Sequence, residues 1–249
     1  MNRSQLRPIM TSELVLFQVA AIVALVGMSL GWRGVMTRYS GFYDLPTAWS
    51  MMFWGIIIGG FYGLLCDYFL LRPYLELGVP SITNLTITFL LAVVVHMMLR
   101  RERVRKTGSQ PTTGWTLGLS VGGMIGMYTI YRMLEIFSDE VWLLAMNVAL
   151  VAIISPRAHA LLFCRHGYHM LNGMRWKAVL RTFIWGALLI TSIYTAAITP
   201  LYWIFIIPFV LIAEKSAHDW VWAAVPKPAR RRLRRIWADA ARQAVKEEE

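Results

Sequence analysis

His96, His159 and His218 are the residues of this sequence whose type and placement best suit chemistry, because each falls near the same end of a long apolar run. His166, His169 and Cys164 follow in an adjacent basic stretch. Imidazole and thiolate are good ligands for zinc, iron or copper. Three histidines arriving from three helical hairpins would make a metal or heme site if they converged. The close spacings that mark such sites are missing: there is no His-Glu-x-x-His, no Cys-x-x-Cys-His, and no histidine pair at heme spacing within one run.

A second cluster, Glu214, Lys215, His218 and Asp219, lies on the last apolar run. Glu214 with His218, and Lys215 with Asp219, are four apart, so two ion pairs would neutralise one helical turn. Lys215 raises the idea of a retinal-type Schiff base. The adjacent Glu214, and the lack of a matching carboxylate on the third run, argue against it. Asp67, Arg72, Arg132 and Glu135 form a third group, with Arg132 and Glu135 at pairing distance on one helix face. These read as interfacial anchors reaching toward headgroups. Asn84 and Asn147 read as hydrogen-bonding residues between helices. Phosphate-loop, nucleophile-elbow and intramembrane-protease motifs are absent from the sequence, so nothing in it is a catalytic signature.

The elements that must carry these residues are membrane helices. With 57% hydrophobic residues, 16% charged residues and a mean hydropathy of +0.51, the chain is too apolar for a water-soluble domain. Several runs exceed the roughly 18 residues needed to cross about 30 Å of hydrocarbon. The pattern predicts an all-α bundle of seven spans at 14–30, 49–71, 82–99, 114–137, 141–163, 178–199 and 201–223. Pro200 separates the last two, because proline ends a helix at the residue before it. The first run lacks a small-residue cleavage site after it and reads as a retained helix. Cys66 and Cys164 fall at opposite ends of the bilayer in this arrangement, so no disulfide is expected between them.

Orientation follows from the basic segments. Arg100, Arg101, Arg103, Arg105 and Lys106 fill one loop, and Arg157, Arg165, Arg175, Lys177 and Arg181 fill a second. The tail supplies Arg230, Arg231, Arg232, Arg234 and Arg235. By the positive-inside rule all three are cytoplasmic, with the N-terminus outside, and Arg3 and Arg7 are the misfit. A net charge of +11 here points to anionic lipid on the cytoplasmic face and not to nucleic acid. Residues 1–225 form the bundle, and 226–249 a basic tail whose Leu233, Ile236, Trp237 and Ala240 would share one face of an interfacial helix lying on lipid.

A shift of 63 residues brings Gly55, Gly59 and Gly63 onto Gly118, Gly122 and Gly126, Asn84 onto Asn147, and His96 onto His159. A further shift, shortened at Pro200, carries His159 onto His218, which suggests a leading helix followed by three parallel hairpins. Glycines at spacing four, Gly114 included, lie along one helix face where backbones can approach closely. The two glycine faces are candidates to pack on each other or on another subunit, with Leu119 turned to lipid. The chain is expected to be a non-catalytic integral membrane protein of the cell membrane, a transporter or channel-like component or a scaffold subunit. Its partners would be lipid, other membrane subunits or a second copy. The alternative is a membrane enzyme or redox subunit using the inner histidines.

Overall fold

The computed structural model describes residues 13–78, 81–136 and 141–248, and all of its regular structure is helical. The expected acidic turn Ser138-Asp139-Glu140, and Arg3 and Arg7, lie outside the described residues. The long helices are α1 (Glu13–Arg38), α2 (Leu45–Cys66), α4 (Thr83–Leu99), α6 (Gln110–Ile136), α7 (Val141–Leu171), α8 (Arg175–Ile198) and α9 (Trp203–Ala224). A π-helical turn, Asp67–Leu71, carries α2 on into the short α3 (Arg72–Leu77), and α5 (Glu102–Thr107) occupies the first basic loop. A 3₁₀ turn at Pro200–Tyr202 joins α8 to α9, and α10 (Lys227–Glu248) is the tail.

Five segments are long and apolar enough to cross a membrane: Glu13–Arg38, Leu45–Leu77, Val141–Leu171, Arg175–Ile198 and Pro200–Ala224. Two of the seven expected spans are not among them. α4 is apolar but short, with 17 residues. α6 carries too many threonines, serines and glycines, yet it is buried along nearly its whole length. A helix wrapped by other helices does not have to match lipid, so its polar and small side chains are the consequence of its central position.

α6 has three working faces. Gly114, Gly118 and Gly122 turn to α7, where a Cβ at any of them would lie under 3.0 Å from backbone atoms of Phe163, His159 or Ser155. Every four-residue step along α6 meets a four-residue step back along α7, continuing to Gly167 of α7, which lies against the Gln110 backbone. Ser155 Oγ closes this antiparallel seam by donating to Gly122 O at 2.7 Å. The second face meets α2: a Cβ at Gly55 would sit 2.7 Å from Ser120 Cβ, and one at Gly59 2.7 Å from Val121 Cα. Gly63 lies against Tyr128. The third face takes α1, with Gly123 against Met28 and Leu119 against Gly31.

The two glycine faces therefore do not pack on each other. α2 lays its glycines on the larger side chains of α6, while the α6 glycines receive α7. Leu119 is fully buried between α6 and α1, not turned to lipid. The hairpins related by the 63-residue shift also differ in their contacts. α6 packs along the length of α7, whereas α2 packs mainly on α6 and touches α4 little.

Helix ends gather at two levels. Arg103 approaches Asp44 at 3.8 Å, and Tyr39 Oη donates to His218 O at 3.0 Å, which brings the end of α1, the start of α2, α5 and the last turns of α9 to one end. Burial raises the Tyr39 phenol above its ordinary 10, Arg38 partly opposing it, so the phenol keeps the proton it donates. At the opposite end Asn147 Nδ2 donates to Ala197 O at 2.7 Å, and Trp203 Nε1 donates to Asn147 Oδ1 at 2.7 Å.

Several expected boundaries move. α7 does not stop at Phe163 but runs to Leu171, so Arg165, His166 and His169 are helical and not in a loop, and Arg157, counted among that loop's charges, lies mid-helix. His166 and His169 are buried there. α10 turns its apolar face onto the bundle and not onto lipid: Leu233 is buried, and Trp237 packs on Tyr39 and Trp222. Ile236 and Ala240 remain exposed.

Candidate functional site

The three expected metal-binding histidines stand apart. His96 meets His166, with Nδ1 to Nε2 at 3.2 Å, and the other nitrogen of His166 lies 2.7 Å from Thr182 Oγ1. His159 donates from Nδ1 to Ser155 O at 2.8 Å and packs on Phe163, in the α6–α7 seam. His218 lies beside the Tyr39 ring at the end of α1. Among the described residues no three of His, Cys, Asp and Glu are grouped so as to hold a metal ion. The correction has a physical cause. α7 runs on to Leu171, so His159 lies seven residues, roughly 10 Å, further in than His166, the residue of α7 that meets His96, and it is held in the α6–α7 seam against Gly122.

The end of the bundle opposite the basic loops holds a charge cluster. Asp67 starts the π-helical turn and is 3% exposed. Arg132 grips it with a two-pronged contact, Nε to Oδ1 and Nη2 to Oδ2, both 2.8 Å, and also pairs with Glu135 at 2.5 Å. Arg72 approaches from the same side at 3.4 Å. Two-pronged arginine–carboxylate pairs are among the strongest ionic contacts. The group thus clamps α2 to α6, a structural part beyond the anchoring role its sequence position suggests.

A polar ladder joins α2, α4 and α8. Asn84 Nδ2 donates to Ala187 O at 3.0 Å and to Thr191 Oγ1 at 2.8 Å, and its Oδ1 accepts from Thr88 at 2.9 Å. Tyr62 Oη reaches Thr88 Oγ1 at 3.4 Å. Asn84 and Asn147 therefore each donate to a backbone carbonyl of α8. Cys66 and Cys164 are free and buried.

The last-run cluster is built differently from its sequence spacing. Glu214 does not pair with His218: it pairs across to Arg157 of α7, Nη1 to Oε2 at 3.4 Å. Lys215 and Asp219 are exposed, and among the described residues no ion pair joins them. Arg157 also donates from Nη2 to Leu30 O of α1 at 3.3 Å. Glu214 stands near the middle of α9, roughly 15 Å from either end at about 1.5 Å rise per residue. A partly buried ion pair thus sits at mid-helix among α1, α7 and α9. The sequence pattern counted Arg157 with the second basic loop, although the expected span 141–163 contains it. The signal that could have found it was the unbroken apolar periodicity on both sides of it, despite Pro156.

Among the described residues, the basic half also contains the buried side-chain atoms without hydrogen-bond partners: Gln110 Oε1, Trp115 Nε1, Arg157 Nε, His159 Nε2, His169 Nδ1 and His218 Nδ1. At the basic end itself a cleft of about 630 Å³ opens between the α1–α2 turn, the start of α6 and the start of α10, lined by Tyr39, Asp44, Ser109, Thr112 and Arg232 among others. Of the five tail arginines, Arg230 is committed to the α9 terminus, donating to Val225 O and Ala223 O. Arg231, Arg232, Arg234 and Arg235 are exposed, with Arg234 also over the Trp222 ring. Comparison of the chain with known protein families, curated proteins and solved structures finds no match in any of the three.

Proposed function

We propose that the chain is a non-catalytic integral membrane protein of the transporter or channel type, with seven spans, the N-terminus outside and the basic end in the cytoplasm. α4 and α6 complete the span count because the five lipid-suited helices surround one and flank the other. The observation that carries the functional reading is the Arg157–Glu214 pair at mid-depth among three helices. Charged side chains inside the hydrocarbon region are costly, and those that persist there mark ion or substrate paths.

The two halves support this reading by contrast. Polar groups on the outer side are satisfied by short, multiple bonds, as at Asp67 and Asn147. The inner pair is a single long contact, and unpartnered polar atoms lie in the same half as a cleft open at the basic end. A loosely paired charge is cheap to part and available to a passing ion. The exposed arginines of α10 would hold the cytoplasmic surface on anionic lipid.

The test is flux. Purified protein in liposomes should dissipate an imposed proton or sodium gradient faster than protein-free vesicles. Glu214→Gln should abolish the difference while the variant elutes and melts as the parent does. Flux no faster than protein-free vesicles for either ion, or flux that both Glu214→Gln and Arg157→Gln leave unchanged, overturns the proposal.

A further inference from the structure

α8 and α9 meet at the Pro200 turn but touch each other little along their length, and both instead lean on α7. Between them runs an apolar groove of about 350 Å³. Its floor is Ala158 and Leu161 of α7, and its walls are Leu188 of α8 with Phe209 and Ala213 of α9. Trp185 and Phe209 stack across it, ring centroids 5.5 Å apart. The groove opens sideways, since Leu188 and Phe209 are exposed on α8 and α9, two of the helices suited to a bilayer. Along α9 it extends from Phe205 to Trp220, roughly 22 Å at about 1.5 Å per residue, which exceeds the roughly 15 Å of one leaflet's hydrocarbon.

One end of this groove is charged and the rest is not. Arg165 lines it at the basic end, its guanidinium 5.6 Å above the Trp220 ring, which fixes the arginine at the depth of an interfacial tryptophan. Among the described residues no acidic side chain is ion-paired to Arg165, whereas Arg157, two turns further in, is paired with Glu214. A slot long enough for an acyl chain, closed at headgroup depth by an unneutralised arginine, has the chemistry of one ligand class. We propose that the α7–α8–α9 groove binds one acyl chain of an anionic phospholipid, with the phosphate of that lipid on Arg165. A zwitterionic lipid offers the same chain but no net charge to Arg165. The site rests on the membrane placement of the bundle and not on transport, so it stands or falls separately from flux.

The experiment is lipid retention by native mass spectrometry of the full chain released from micelles holding equal phosphatidylglycerol and phosphatidylcholine. One lipid bound per chain, with phosphatidylglycerol favoured about fivefold, is expected from about 1 kcal/mol for one interfacial arginine. Arg165→Gln should bring that preference to about one while Arg165→Lys keeps it, and Ala213→Trp, which fills the groove from α9, should remove the bound lipid of either kind. Melting of each variant in detergent alone, alongside the parent, identifies a folding defect. If Arg165→Gln does not fold, the Ala213→Trp result decides. Retention unchanged by Ala213→Trp, or headgroup preference unchanged by Arg165→Gln, overturns the assignment. So does equal thermal protection by glycerophosphoglycerol, which has the headgroup and no chain.

Discussion

Gly118→Ala adds one methyl group to the α6–α7 seam, and the structure sets what that methyl must displace. Its Cβ would lie 2.6 Å from Ala160 Cα and 2.7 Å from Ala160 N, with His159 O nearer still. All three are backbone atoms, so no side-chain rotation relieves them. Reaching an ordinary contact of 3.4 Å from the nearest of them requires the helices to part by roughly 1 Å near this turn. A gap of that size forfeits about a quarter to a half of the dispersion energy. Over about 40 atom pairs at about 0.15 kcal/mol each, the loss is about 1.5–3 kcal/mol. Alanine returns up to about 1 kcal/mol as the better helix former, leaving a net destabilisation of about 0.5–2 kcal/mol. Gly126→Ala is the control on the same helix and at the same spacing, since its nearest neighbour would be Ser155 Cβ at an ordinary 3.6 Å. It should be neutral or slightly stabilising. Unfolding in mixed micelles of increasing SDS fraction, followed by circular dichroism, measures both, and equal midpoints for the two variants would refute the close-approach argument.

Arg132→Ala leaves the buried Asp67 carboxylate with only the longer Arg72 contact and should cost up to about 3–5 kcal/mol in the same unfolding assay, whereas Asp67→Asn combined with Arg132→Met should recover much of it. Full additivity of the two single losses would show that the pair is not coupled. Asn84→Leu removes two interhelical donations and should cost about 0.6–1.7 kcal/mol, the range for such bonds in membranes; no loss at all would show that the α4–α8 ladder is not stabilising. Leu119→Ala should cost about 2–5 kcal/mol, as for any buried leucine, and a cost near zero would return that residue to the lipid face. For topology, a membrane-impermeant thiol reagent added outside intact cells should label Ile82→Cys and spare Lys106→Cys, Asn172→Cys and Gln243→Cys. The native cysteines are buried and give little background, and labelling of any of those three sinks the orientation.

The sequence by itself determined what depends on counting along the chain. Run length and apolar composition are local properties, so the helical class and five of the seven expected spans follow from them as lipid-suited segments, as does the turn at Pro200. Spacing also placed Arg132 and Glu135 on one face, and they do pair. It could not reveal that Arg132 takes Asp67 as its main partner, because those residues are on different helices and nothing local fixes the rotation of one helix about another. The histidines fail for a different reason: counting placed them at one depth, but α7 runs past its expected end, so His166 meets His96 and His159 lies two turns further in. The missing angle does explain Leu119, since on a helix enclosed by neighbours every face is buried and periodicity carries no inward direction. Glu214 shows the competition most directly: its sequence spacing offered His218 one turn away, but packing of α9 on α7 brought Arg157, a permanent cation, within reach. Spacing within a turn says which partners a side chain could take, and the packing of one helix on another decides whether it takes them or a residue across the interface.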